Sequence, residues 1–250
     1  MSQLGFGLDI GGSGIKGAVV DLATGQLAGE RLRLATPAPA TPQLVADVAA
    51  RVVDHFGWRG PVGATFPGVV TAGVVRTAAN VDPAWVGTNV EEVLGAALGS
   101  GVTALNDADA AGLAEARFGA AKDQKGLVVV TTLGTGIGTA LLYDGNLIPN
   151  SELGHLELDG RDAETRASAG ARERDGLSWT AWAKRLTRYY RALEDYLWPE
   201  LFILGGGVSR KADKLLPLLD LRTPIRAAAW RNEAGMIGAA LRCARYASPR

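Results

Sequence analysis

The segment GSGIKGAVV, at positions 12–20, recurs without gaps as GTGIGTALL at positions 134–142. Glycine, a hydroxyl residue, glycine and isoleucine repeat in order, and an apolar run follows each time. A chain that carries one pattern twice folds most simply as a duplicated unit. Each copy follows an apolar stretch, positions 4–10 and 127–133, and reads as strand, glycine turn, strand. Glycines in such a turn let backbone N–H groups face outward and a ligand approach closely, and the hydroxyl adds a donor. Two such hairpins facing each other would form a cleft that grips a row of phosphates. The first offers Gly11, Gly12, Ser13, Gly14 and Lys16, the second Thr132, Gly134, Thr135 and Gly136.

Gly12, Gly14 and Gly17 also satisfy the G-x-G-x-x-G pattern of dinucleotide-binding folds. That fingerprint needs a helix after the turn. Here IKGAVVDL follows, and its β-branched residues favour a second strand.

Length and charge narrow the classes. The 250 residues suit one large or two small domains. Twenty-six basic and 26 acidic residues cancel, so nothing global points to nucleic acid or membrane. A single cysteine, Cys243, excludes an internal disulfide framework and suits a reducing compartment. The first strand starts almost at once, leaving no room for a signal peptide, and no apolar run is long enough for a bilayer; a cytoplasmic protein is expected.

Along the chain, positions 26–35 predict a third strand, 43–56 a helix, 61–66 and 73–78 strands about the Pro67-Gly68 turn, and 89–98 a short helix. A strand at 102–105 ends at Asn106-Asp107, and an Ala-rich helix follows at 108–118. Beyond the second hairpin, 161–198 reads as mostly helical, 200–204 as a buried strand leading into Gly205, Gly206 and Gly207, and 233–246 as a closing helix. This order is that of a duplicated mixed α/β sheet flanked by helices. The expected domains are 1–107, joined by the closing helix at 233–250, and 108–232.

Asp9 ends the first strand, just before the phosphate turn. A carboxylate there is compatible with a phosphate site when a hydrated Mg²⁺ lies between them, and equally with an Asp that satisfies turn amides. Asn106 and Asp107 stand where α/β folds present side chains to a ligand, and also where an Asp would simply cap the next helix. With Asn80, Glu152 and His155 they form a set suited to a polyhydroxylated sugar, one carboxylate being free to act as base.

LDIGGSGIKG, AANVDPAW, LNDADAA, TTLGTGIG, SELGH and LFILGGGVS, in this order over nearly the whole chain, resemble the ROK family of sugar kinases. GGSGIKG and ELGHLELDGRDAETRASAGARERDGLSW are most similar to its actinobacterial branch, the polyphosphate glucokinases. The resemblance implies the actin-like ATPase/hexokinase-like (ribonuclease H-like) fold, two domains closing on sugar and donor, and a homodimer. It implies transfer of a terminal phosphoryl group from polyphosphate or ATP to the 6-hydroxyl of glucose, with a strictly ATP-dependent or a glucose/mannose kinase as the alternatives.

Carried over by position, Asp107 matches the catalytic base, and it joins Gly68, Asn80, Asn106, Glu152 and His155 as a sugar ligand. Asp9 matches the Mg²⁺-linked acid, and Gly205–Gly207 would cradle a nucleotide. The family's last sugar-contacting Glu follows a zinc-binding cysteine cluster. Here AETRAS stands in that place, so Glu164 takes the role, zinc is not expected, and packing alone would hold Glu164. Family repressors carry a DNA-binding segment before the first strand, which this sequence lacks, so no nucleic-acid partner is expected.

Positions 161–191 hold eight basic and four acidic residues, a local +4. A helix at 178–198 would set Trp182, Leu186, Tyr189, Leu193 and Leu197 on one face and Lys184, Arg188 and Arg191 on the other. With Arg172 and Arg174, that basic stripe is either a solvated face or a track for polyphosphate.

Overall fold

The computed structural model describes residues 3–247. Two compact units form: Met1–Ala114 with Glu233–Arg250, and Glu115–Asn232. Positions 1–2 and 248–250 of the expected first domain lie outside the described residues.

The first unit runs β1 (Leu4–Gly11), β2 (Gly14–Asp21), β3 (Leu32–Leu34), α1 (Pro42–His55), β4 (Val62–Phe66), a small hairpin of β5 (Val70–Thr71) and β6 (Val74–Val75), α2 (Val90–Leu98), β7 (Val102–Asn106) and α3 (Asp107–Phe118), whose last turn belongs to the second unit. Its five-stranded sheet has the order β3-β2-β1-β4-β7. The β1–β2 and β2–β3 pairs are antiparallel, and β1–β4 and β4–β7 are parallel.

Alternation along the strands explains both faces. Phe6, Leu8 and Ile10 of β1 and Val62, Ala64 and Phe66 of β4 are buried in one core with Val45, Ala49 and Val52 of α1. The opposite face carries Gly7 and Gly63, and there the C-terminal helix, Ala234–Ala247, lies almost directly on the backbone. A Cβ on Gly7 would stand 1.9 Å from the carbonyl oxygen of Met236, and one on Gly63 1.8 Å from that of Ala239.

Two expected strands are shorter. Of positions 26–35 only Leu32–Leu34 is ladder, preceded by a lone bridge from Leu27 to Val20, because 28–31 is exposed and has no face to bury. The segment at 73–78 pairs only at Val74–Val75, since the left-handed Ala72 and Gly73 turn it back onto Val70–Thr71.

The second unit continues with β8 (Leu127–Leu133), β9 (Ile137–Tyr143), β10 (Asn146–Ile148), β11 (Glu157–Leu158), β12 (Arg161–Asp162), α4 (Glu164–Ala167), α5 (Ala169–Arg174), α6 (Trp179–Leu197), β13 (Leu201–Gly205), α7 (Ala212–Leu215) and β14 (Ile225–Ala227). Its sheet, β10-β9-β8-β13-β14, repeats the first in order and in strand direction. The α6 helix is capped by Ser178, whose hydroxyl accepts from Ala181 N–H, and ends at the left-handed Trp198. Trp182, Leu186, Tyr189 and Leu193 are buried against the sheet, while Lys184, Arg188 and Arg191 are exposed. No helix among the described residues is long and apolar enough to cross a membrane.

Candidate functional site

In the first unit the candidate residues gather where the parallel strands β1, β4 and β7 end, the edge at which open α/β sheets bind ligands. Gly11 and Gly14 are register partners, so Gly12-Ser13 forms a two-residue turn. A Cβ on Gly12 would lie 2.7 Å from Cβ of Asn80, which sits against the turn at φ +60°. Asp9 and Lys16 are directly opposite across the β1–β2 pair, and Lys16 Nζ donates to Asp9 Oδ2 at 2.8 Å. Thr65 Oγ1 donates to Asp9 Oδ1 at 2.9 Å and accepts from Ile10 N–H. Asp9 is therefore aligned by a lysine and a threonine rather than by turn amides.

Sequence reasoning missed Arg33. It pairs in register with Lys16 on the neighbouring strand, and its Nη2 donates to the Ser13 carbonyl at 2.7 Å. A cation thus stands at the first turn, and only the β2–β3 register would have found it.

Asn106, not Asp107, caps α3. Its Oδ1 accepts from the N–H groups of Ala108 (2.8 Å) and Asp109 (3.2 Å), and its Nδ2 donates to the Gly68 carbonyl at 3.1 Å. This leaves Asp107 exposed in the first turn, where the helix dipole favours its charge and Oδ1 accepts from Ala108 N–H.

In the second unit the Gly134–Gly136 turn joins β8 to β9. Glu164 Oε2 accepts from Ile137 N–H at 2.8 Å, and a Cβ on Gly136 would meet the same oxygen at 2.2 Å. The Glu164 N–H donates to Asp162 Oδ1 at 2.9 Å. Hydrogen bonds at both ends, rather than packing alone, hold this residue, which corrects the expectation. Gly205 is in register with Thr132, and Gly206, at φ +74°, lies against the backbone of Leu133, so the glycine run borders the end of β8.

Glu152 precedes and His155 ends a short 3-10 turn docked on β9, where Thr139 Oγ1 donates to the Ser151 carbonyl and accepts from Leu153 N–H. His155 Nδ1 is 2.8 Å from Asp162 Oδ2, and Nε2 is 3.8 Å from Glu152 Oε2. The hydrogen bond to Asp162 raises the His155 pKa above its ordinary value; burial opposes it, and Glu164 and Glu152 add to the rise. Burial raises Glu152 above the usual carboxylate value, and His155 pulls it down. Asp162, another residue the sequence did not single out, thus joins His155 to Glu164.

The raised value has a sign that can be measured. The stability that protonated His155 gains from Asp162 is fully present below the ordinary imidazole pKa of ~6.5 and is lost as pH rises through the higher folded value. A ring-proton NMR titration should give His155 a midpoint above ~6.5, falling in Asp162→Asn. A midpoint at or below the ordinary value in the unaltered protein would refute this account.

The basic stripe does not stay together. Arg172 stacks 4.2 Å from the Trp179 ring centre, and Arg174 donates to the Thr165 carbonyl and Asp175. Arg188 pairs with Asp159 at 2.8 Å and Arg191 with Asp220, whereas Lys184 makes no ion pair among the described residues. Also among these residues, no three His, Cys, Asp or Glu side chains are grouped to hold a metal ion.

The model of the ROK family matches residues 5–176. The chain is 60% identical, over 238 residues, to the polyphosphate glucokinase of Mycobacterium tuberculosis (strain CDC 1551 / Oshkosh), covering 95% of this chain and 90% of that one. It superposes on the inorganic polyphosphate/ATP-glucomannokinase of Arthrobacter sp. strain KM with a TM-score of 0.94 at 56% identity, covering 97% of this chain and 99% of that one. A ROK family glucokinase from Streptomyces griseus, in complex with glucose and AMPPNP, shares the fold at a TM-score of 0.84 and 24% identity, over 97% of this chain and all of that one. The two mixed five-stranded sheets are those of the actin-like ATPase/hexokinase-like fold. With the family model over most of its length and close relatives along nearly all of it, the chain belongs to the ROK family.

Proposed function

We propose that this protein is a glucokinase that transfers the terminal phosphoryl group of inorganic polyphosphate, and also of ATP, to the 6-hydroxyl of glucose. The observation that carries the reading is the pair of glycine turns, placed alike in two sheets of one topology, on a chain that also exposes Asp107 at the start of a helix. Asp107 accepts the proton of the 6-hydroxyl as that oxygen attacks the terminal phosphorus and the bridging P–O bond breaks. Turn amides of both hairpins stabilise the charge on the transferring group. Gly68, Asn80, Asn106, Glu152, His155 and Glu164 bind the sugar hydroxyls, and Gly205–Gly207 takes the nucleotide when ATP is the donor.

Lys16 and Thr65 each occupy one lone pair of Asp9, leaving others for water. That donor set fits Mg²⁺, which is held through one carboxylate, water and donor phosphates and supplies charge neutralisation when bound. In this reading residues 1–107 with 233–250 carry the first phosphate hairpin and 108–232 the second and the donor side, both supply sugar ligands, and the enzyme is a cytoplasmic homodimer.

The test is a donor panel: glucose and mannose, each with ATP and with polyphosphate of several lengths. Glucose 6-phosphate should form with both donors, and formation with ATP alone would overturn the polyphosphate half. Excess EDTA should abolish turnover, while a zinc-selective chelator should not. Glu152→Gln and His155→Ala should each weaken glucose binding about tenfold in calorimetry, the loss expected for one charge-assisted hydrogen bond. Unchanged glucose affinity in both folded variants would return this loop to a structural role.

A further inference from the structure

The β11–β12 hairpin, α4 and the first half of α6 border a cavity of about 440 Å³ within the second unit. Its lining is strongly basic: Arg161, Arg166, Lys184, Arg185 and Arg188 against one acid, Asp159. Arg188 is paired with Asp159 at 2.8 Å, and Arg185 with Asp175 at 2.6 Å. Arg161, Arg166 and Lys184 make no ion pair among the described residues. The surplus of positive charge therefore belongs to this cavity.

The interior supplies a second, independent sign. Tyr189 lines the cavity at 1% exposure, and its hydroxyl has no hydrogen-bond partner among the described residues. A buried hydroxyl without a partner is costly, and an acceptor oxygen in the cavity would remove the cost. A ligand that suits the place is a compact polyanion rich in acceptor oxygens. A neighbouring cavity of about 300 Å³ lacks this character, because Arg191 and Arg222 there face Glu194, Asp195 and Asp220.

We propose that this cavity binds two or more consecutive phosphates of a condensed phosphate chain, away from the phosphate being transferred. The inference rests on the polyphosphate reading above and gives the donor chain a seat. It takes Lys184 and Arg188 from the basic stripe, adds Arg161, Arg166 and Tyr189, and leaves out Arg172, Arg174 and Arg191.

Calorimetric titration of the full chain with inorganic tripolyphosphate tests it, with inorganic phosphate and glucose 6-phosphate as separate arms. Arg161→Glu with Arg166→Glu should raise the tripolyphosphate Kd about tenfold or more and flatten its salt dependence. Tyr189→Phe, which removes only the hydroxyl, should raise it by roughly threefold or more. Arg161→Lys with Arg166→Lys should bind as the unaltered protein does, and thermal melting checks that each variant folds. Unchanged Kd in both the charge-reversed and the Tyr189→Phe proteins overturns the assignment. So does binding of inorganic phosphate or glucose 6-phosphate as tight as that of tripolyphosphate. Polyphosphate turnover by the unaltered protein is measured in parallel: its absence defeats the donor reading, whereas turnover with unmoved variant affinities defeats the cavity alone.

Discussion

Asp107→Asn should lower kcat for glucose phosphorylation by ~10²–10⁴-fold, the usual worth of a positioned base, and leave glucose affinity largely intact. The substitution leaves the start of the helix in place. Asn106 alone makes the two cap bonds to Ala108 and Asp109, so α3 keeps its start, and an Asn at 107 can still accept from Ala108 N–H. Removing one exposed charge from the first turn costs only a few tenths of a kcal/mol to ~1 kcal/mol of helix stability. The loss should therefore appear in kcat with both ATP and polyphosphate, while the melting temperature falls by no more than about 4 °C. A variant that keeps more than about a tenth of the original kcat would exclude Asp107 as the base.

The largest effect on stability is expected from Gly63→Ala. The new methyl would stand 1.8 Å from the Ala239 carbonyl oxygen, a backbone atom that no rotamer change can move. The C-terminal helix would have to shift away from β4, and with it the contact that Gly7 makes beside it on β1. Such overpacking belongs at the upper end of the usual range, about 3 kcal/mol, or a melting temperature lower by roughly 6–12 °C. Activity should fall as well, because Gly235 at the start of that helix lies beside Asp9, with 3.2 Å from its would-be Cβ to the carboxylate carbon. Gly101→Ala is the control: nothing lies within 4 Å of an added Cβ, and its effect should be near zero. Equal melting temperatures for the two variants would refute the close helix–sheet contact.

The basic stripe illustrates what a single segment can and cannot reveal. Helical periodicity sorted α6 correctly into a buried face of Trp182, Leu186, Tyr189 and Leu193 and an exposed face of Lys184, Arg188 and Arg191. Periodicity carries no information about which acids arrive from elsewhere. Asp159 reaches Arg188 and Asp220 reaches Arg191 from segments 29 residues away, so charges that look alike on the helix end in different surroundings.

Much of the architecture was legible because it is local. The repeated G-hydroxyl-G-I turn, the β-branched runs on either side and the 3.6-residue spacing of α1 and α6 specify the hairpins, helices and duplication through interactions a few residues long. Composition and motif order were enough to indicate the family. The functional side chains depend on distances the chain closes only by folding. Strand register decided that Lys16 meets Asp9 and that Arg33 reaches Ser13, since a slip of one residue would turn each side chain to the other face. Asn106 and Asp107 are adjacent and both can cap a helix; the Gly68 carbonyl, 38 residues away, holds the Asn106 amide and leaves Asp107 exposed. Glu164 finds the Ile137 N–H, and Asp162 reaches both His155 and Glu164, because α4 and the β9 turn meet in space. Local sequence signals specify most of the elements and the family they build. Tertiary packing decided which charges are matched, which polar atoms are spent on holding the fold, and which are left for a ligand, because those choices are made between atoms that are neighbours only in the folded chain.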